Sequence, residues 1–536
     1  MNNTYHKLIA AVLSLFILIA PLSVMAQAIP MPTADSTATD IIALYEEGKA
    51  EDARALLNIY VAQNRTDLSV HYERANILGV YDEPELALEA VEDSLSLFPD
   101  SAELLLAKGK ILDFLYRFEE AVEFIGKAID ASAGDDSALY YLNLQLYDAA
   151  SRGGMYDEAT RALERVLALD DSTEGFVERA SYRLWTLYSP KTALNDLNAI
   201  LRREPDNIEA LQYRVFAHLW LDEYDEALAD AEAAAKADAN FGTLLRGIAY
   251  IYAEDAELAM AELNRFIENN PDNLVGYLYR GILELEVMFD LDAAEADFKK
   301  CVELDSTDSD GWRLLASVYK TRGLLTEELE TLSYDELYYD SAFILDRGLY
   351  YVRINDAEMA AGFLELMRTE FPNCFDTLWL EIWYQTCLRD FGAAVLAYEK
   401  MEAQFPFLGE RYILNKAAML AAAGRRADAL AIVEANPAES LYDNCVVASV
   451  YTLLGMSAEA EELLGYIKDN LSVEELVLSP AEYHSLLITY YLTAAEFAYT
   501  QGDSAECAAN LERAYELGHA EEENASSWVF GGDGVE

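Results

Sequence analysis

Apolar residues recur along most of this chain at the spacing of one helical face, and the pattern repeats. In Tyr224-Asp225-Glu226-Ala227-Leu228 a small residue, Ala227, sits within an apolar stripe. The same position returns at Ala53, Ala87, Ala121, Ala159, Ala193, Ala227, Ala259, Ala294, Glu328, Ala360, Ala394, Ala429, Ala460 and Cys507. The intervals are 34, 34, 38, 34, 34, 32, 35, 34, 32, 34, 35, 31 and 47 residues. Four residues after this anchor stands a larger apolar residue, as at Val91, Ile125, Leu163, Leu197, Leu263 and Leu364. Three further on is a second, as at Ala128, Val166, Ile200 and Met367. The i, i+4, i+7 spacing is one face of an α-helix. A proline often ends it: Pro99, Pro205, Pro271, Pro372 and Pro406.

About twelve residues before the anchor, a second helical stretch carries a basic residue and a glycine: Lys108-Gly109, Arg246-Gly247, Arg280-Gly281 and Arg347-Gly348. A small residue there lets two helices approach closely. Asp100 with Glu103, and Asp206 with Glu209, have capping-box spacing and predict helix starts just after the prolines. Each unit therefore reads as helix, tight turn, helix and stop. One such hairpin cannot bury its apolar face alone, so neighbours must stack into a solenoid with a continuous core.

The 34-residue period, the small anchor, the glycine twelve earlier and the closing proline together resemble the tetratricopeptide repeat (TPR) family. Trp312, Leu315, Ala316 and Tyr319 match the family's first-helix pattern closely. The resemblance covers about residues 40–520. It implies an all-α, right-handed α-solenoid of about fourteen stacked helix-turn-helix repeats. Three departures are visible: four extra residues near Gly153-Gly154, an acidic anchor at Glu328, and a final interval of 47 with extended helix around Glu482–Thr500. In the family the first helices line the concave face and contact the ligand. Carried over by position, Tyr182, Trp185, Phe216, Trp220, Phe241 and Tyr252 should line that groove, with Trp379 and Trp383 as a second pair. The rival expectation is that these rings pack between adjacent first helices of a tightly curved array.

The ends are not repeats. Residues 1–28 read as a secretory signal peptide: Lys7, an apolar run from Leu8 to Ala20, Pro21, then small residues for cleavage after Ala26 or Ala28. The alternative is an uncleaved anchor, because Leu8–Ala26 holds no charge. Residues 29–39 form a short linker, and 521–536 an acidic, glycine-rich disordered tail. The mature chain is expected to be secreted or extracytoplasmic, with no membrane span. Its five cysteines (301, 374, 387, 445, 507) include no CxxC pair. Cys374 and Cys387 are too far apart on one helix to bridge. Buried thiols acting as small hydrophobes are the expectation.

Composition narrows the function. The chain has 536 residues, 96 of them acidic against 38 Lys and Arg, and a formal net charge of −58. Its mean hydropathy is +0.00 and its pI about 4.2. An apolar fraction of 53 % argues against disorder, and the acidity argues against nucleic-acid binding. There is no GxSxG, HExxH, P-loop or Rossmann glycine pattern. The five histidines are far apart in sequence, and His218 takes a packing position. The Asp305–Gly311 stretch resembles a calcium-loop start, but puts Ser306 and Ser317 where acids are required; helix capping explains it better. No enzyme, cofactor or metal is expected. The reading is an exported binding scaffold for a protein or peptide, possibly basic, held in an acidic groove. A structural spacer or self-associating assembly subunit of the cell envelope is the alternative. A sugar-binding accessory or enzyme would need an insertion larger than the 47-residue interval.

Overall fold

The structure, a computed structural model, describes residues 36–81, 84–169, 173–334, 340–474 and 478–518. The signal peptide, residues 29–35 of the linker and the 521–536 tail lie outside them. Among the described residues there are 29 α-helices, two π-helical segments and no strand. The helices pair in order into fourteen hairpins. The first joins Ser36–Glu46 to Ala50–Gln63, and the last joins Pro480–Thr500 to Ser504–Glu516. The extended helix expected in the final interval is Pro480–Thr500.

The anchor is the fourth residue of the second helix in every hairpin: Ala53 in Ala50–Gln63, Ala227 in Tyr224–Ala237, Cys507 in Ser504–Glu516. It is never more than 2 % exposed. Four residues later the larger apolar side chain meets the small residue of the first helix. A Cβ on Gly281 would lie 2.6 Å from the Phe298 ring, and one on Gly247 2.9 Å from Leu263. This close approach is why the glycine recurs. Glu328, the acidic anchor, is buried and held by Arg353 Nη2 at 2.7 Å.

In every hairpin where that position is among the described residues, the chain turns through a left-handed residue five positions before the anchor. It is glycine at Gly48, Gly424 and Gly502, but Tyr188, Asp222, Glu254 and Phe289 elsewhere. The packing of the two helices imposes the turn, so the sequence marks it only where glycine relieves the strain.

Two helix starts differ from expectation. Ser101, not Asp100, caps Ala102–Phe114 by accepting from Leu104 N. Asn207, not Asp206, caps Ile208–Trp220 by accepting from Ala210 N. The residue with extended backbone just before the first turn can reach these amides; the aspartate one step earlier cannot. A complete capping box forms instead at Ser479 and Glu482. Asp308, from the calcium-like stretch, caps Ser309–Thr321 through Gly311 N.

A ladder of ion pairs accompanies the core. Arg214 clamps Asp230 with bonds of 2.7 and 2.6 Å and reaches Asn198 at 2.7 Å. Arg280 clamps Asp297 at 2.7 and 2.8 Å and reaches Asn264 at 2.6 Å. Arg179–Asp196 and Arg246–Glu262 continue the series. Each arginine pairs with an acid 16 or 17 residues later, on the second helix of its own hairpin. The basic residue beside the small position thus has a structural partner, which the sequence reading missed because the acids are lost among so many others.

The chain divides into two compact units: residues 36–176 with 369–373, and residues 177–368 with those from 374 on. Among the described residues no helix is long and apolar enough to cross a membrane. All five cysteines are free. Cys301, Cys445 and Cys507 are buried as expected, while Cys374 and Cys387 are half-buried.

Candidate ligand-binding groove

All eight rings expected to line the groove belong to the unit that begins at residue 177. Tyr182, Phe216, Trp220 and Tyr252 are only 2–3 % exposed. A ring buried to that degree offers no face to a ligand, so these four are packing residues, and their assignment to an open groove is corrected. Trp185, Phe241, Trp379 and Trp383 are half-buried.

The reason for the burial is that the chain fills this face with its own later hairpins. The Trp185 ring meets Phe216 at 5.3 Å and Trp220 at 5.7 Å. Trp220 stacks on Tyr188 at 5.5 Å. Tyr188 then reaches Phe375 at 5.4 Å and Phe405 at 5.7 Å, and Trp220 stacks on Phe407 at 6.2 Å. Phe375 leads on to Trp379 at 5.7 Å, and Trp379 to Trp383 at 5.9 Å. The two aromatic groups that looked separate in sequence are therefore one cluster. Phe241 and Tyr252 make no ring contact with it among the described residues.

Tyr188 enters the cluster through unusual backbone. The first helix of its hairpin ends in a π-helical segment, Tyr182–Thr186, and Tyr188 follows with φ +49°. Three hairpins later the device recurs: Glu284–Met288 is π-helical and Phe289 follows with φ +57°. Phe289 packs on His484 at 4.5 Å, and Ser479 Oγ lies 3.5 Å from the Glu286 carbonyl oxygen. Each wide turn delivers an aromatic ring to a hairpin far along the chain. Neither Tyr188 nor Phe289 was singled out in the sequence. A bulky residue five before the anchor, where other hairpins have glycine, was the available signal.

Several acids are displaced from their usual range. Burial pushes Glu496 up to about 8, and the Ser449 hydroxyl donates to it at 2.6 Å. Burial raises Glu286 to about 7, with the Glu482 charge adding to the effect and Lys320 opposing it. Burial and the nearby Asp297 carry Glu284 to about 7. These groups lie within hairpin packing, which accounts for their shifts. His218 is half-buried and bonds Glu223 at 2.7 Å. Trp312 stacks on Tyr334 at 4.6 Å and donates to the Ser306 carbonyl oxygen, a packing role.

No family model matches the chain. Over 101 residues it is 33 % identical to DnaJ homolog subfamily C member 3 of Mus musculus, covering 18 % of this chain and 20 % of that protein. Over 110 residues it is 36 % identical to tetratricopeptide repeat protein 34 of Mus musculus, covering 20 % of this chain and 16 % of that protein. The repeats are tetratricopeptide-like. The chain spans only about a fifth of the length of these curated relatives. Among solved structures, the anaphase-promoting complex hetero-tetramer Cut9–Hcn1 is 15 % identical, covering 89 % of this chain and 90 % of that one, with a TM-score of 0.40. A tetratricopeptide repeat protein from Parabacteroides merdae is 19 % identical, covering 46 % of this chain and 98 % of that one, with a TM-score of 0.38.

Proposed function

We propose that this chain is an exported scaffold that binds a protein or peptide and catalyses no reaction. The observation that carries this reading is the series of fourteen hairpins among the described residues, each with a buried anchor at the same position. Repeats of this kind expose long, side-chain-rich surfaces built on rigid helices. The chain's net charge of −58 sets the partner's chemistry: a basic protein or peptide is drawn to it by its long-range field. Since part of the inner face is filled by the chain itself, the partner engages the half-exposed edges of Trp185, Phe241, Trp379 and Trp383 and the acidic surface around them. Export rests on the leader-like pattern of residues 1–28.

The test is binding of the mature chain to basic, neutral and acidic peptides of equal length, at low and then high salt. Tight binding of the basic set that weakens steeply with salt is the expected result. Equal binding of all three sets would refute charge selection, and no binding by any of them would refute the scaffold reading.

Self-association is a second reading, favoured by the apolar tips of neighbouring hairpins in the unit of residues 36–176. Val80 is 72 % and Phe114 64 % exposed, with Tyr81 and Tyr116 beside them in sequence. Light scattering that shows mass rising with concentration, abolished in Val80→Lys/Phe114→Lys, is its signature.

A further inference from the structure

Seven residues before the anchor, near the end of the first helix, the two units differ. In the unit that begins at residue 177, Trp220 and Tyr252 hold this position in consecutive hairpins, and both are buried. One short helix of the same unit, Pro406–Arg411, reaches both. Phe407 stacks on Trp220. Arg411, four residues on and so on the same side of that helix, brings its charge to the Tyr252 hydroxyl. In the unit of residues 36–176, Val80 and Phe114 hold the same position in consecutive hairpins. They are 72 % and 64 % exposed. An apolar side chain at this register is thus covered by the chain in one unit and left bare in the other.

The helices that carry them, Leu68–Tyr81 and Ala102–Phe114, pack against each other, so the two side chains belong to one surface. Tyr81 and Tyr116, also exposed, extend it. Several apolar side chains exposed together, rather than singly, mark an interaction surface. Its charged rim is short of donors. Glu46 holds the same register one hairpin before Val80 and is exposed. Asp113, next to Phe114, accepts from Arg152 Nη1 at 2.5 Å through Oδ2, while its Oδ1 is buried without a hydrogen-bond partner. Burial pushes Asp113 up to about 6; Arg152 and Lys110 oppose that shift and Asp148 adds to it. Both cations are already engaged, Arg152 by Asp113 and Lys110 by the Tyr141 hydroxyl at 3.2 Å. A carboxylate oxygen left without a donor is complementary to a further cation.

We propose that Val80 and Phe114 seat a short amphipathic helix of a partner protein, which carries an aromatic residue and, one turn away, an arginine or lysine. The aromatic ring covers Val80 and Phe114, and the cation meets Asp113 or Glu46. The chain's own Phe407 and Arg411, one turn apart, are the pattern for this occupant. The inference rests on the scaffold reading; it names the partner's chemistry and adds a contact site in the unit of residues 36–176.

The probe is a fluorescent, alanine-based helical peptide of about 18 residues, with a phenylalanine and an arginine four apart in its middle. One comparison peptide has alanine for the phenylalanine, the other glutamate for the arginine. Each is titrated against the full chain by anisotropy at constant ionic strength, with circular dichroism to check that the variants fold. Saturable binding is expected, weakened at least about tenfold by alanine in the peptide or by Val80→Ser/Phe114→Ser in the chain. The glutamate peptide should bind more weakly, and Glu46→Gln/Asp113→Asn should remove that difference. No saturable binding, or equal binding by the wild type and Val80→Ser/Phe114→Ser, overturns the proposal. Equal affinity for the arginine and glutamate peptides overturns the basic half of the assignment. Binding lost instead in Trp379→Ala/Trp383→Ala overturns this seat and leaves the scaffold reading standing. A wild type that is dimeric by light scattering, monomeric as Val80→Ser/Phe114→Ser, and not displaced by the peptide gives the surface to a second copy and overturns the proposal.

Discussion

The Tyr188 ring lies 5.4 Å from that of Phe375, although more than five repeats separate them in the chain. Tyr188 sits in a left-handed turn directly after a π-helical segment, so the backbone accepts local strain to place it there. The return is burial of a large ring among Trp220, Phe375 and Phe405. Replacing it should expose how much the later hairpins depend on the earlier ones. Tyr188→Ala is expected to cost about 3–5 kcal/mol, the range for a large aromatic lost from a core. The check is the urea midpoint followed by tryptophan fluorescence, which reports on Trp220 and Trp379. An unchanged midpoint would mean that the contact between distant hairpins carries no stability.

Small residues in this fold serve two different ends, and alanine should separate them. Gly281→Ala drives a Cβ to 2.6 Å from Phe298 and should destabilise by about 1–3 kcal/mol. Gly126→Ala, in the helix Phe118–Ala131, meets nothing within 4 Å and should stabilise by about 0.5–1 kcal/mol. Ala227→Leu, at a fully buried anchor, belongs with the first. Thermal melts of the three variants check the opposite signs.

The arginine ladder is structural, and a mutant cycle can show it. Arg280→Leu strands Asp297, which is 6 % exposed, and should cost about 3–5 kcal/mol. Arg280→Leu/Asp297→Leu removes both charges and should recover much of that loss. A double variant as unstable as the single would show that the arginine contributes by packing alone.

Stability should fall from pH 6 to pH 8.5. An unfolded glutamate titrates near its ordinary value, whereas folded Glu496 holds its proton to about 8, and Glu284 and Glu286 hold theirs to about 7. Between those limits the native state binds more protons, so stability declines as pH rises. The contribution is complete below the ordinary glutamate value and gone above about 8. Glu295 has the opposite sign: its bond from Lys299, with those from Arg322 and Tyr319, holds it down near 2, so its share is lost only in strong acid. Glu496→Gln should flatten the decline in thermal midpoint between pH 6 and 8.5. A profile as steep as the wild type's would remove Glu496 as its source.

Much of this fold was legible in the pattern of small and large apolar residues. A hairpin leaves an imprint of fixed period, because its helices touch at a position where only a small side chain fits. Fourteen copies of that imprint, from Ala53 to Cys507, located every second helix at the same register. Cap positions were legible only to within one residue, since Asp100 and Ser101 are both plausible caps and backbone geometry chooses between them.

The aromatic cluster was not legible in the same way. Periodicity reports contacts within a hairpin and with its neighbours, so it placed Trp220 and Trp379 on inner faces without saying what covers them. Which distant hairpins meet depends on how small rotations accumulate from repeat to repeat, and on the two π-helical turns that redirect Tyr188 and Phe289. Those quantities are sums over many units and leave no local mark. Sequence by itself determined the hairpin, its register and its number. Tertiary structure alone decided that the Trp220 ring is buried under Phe407.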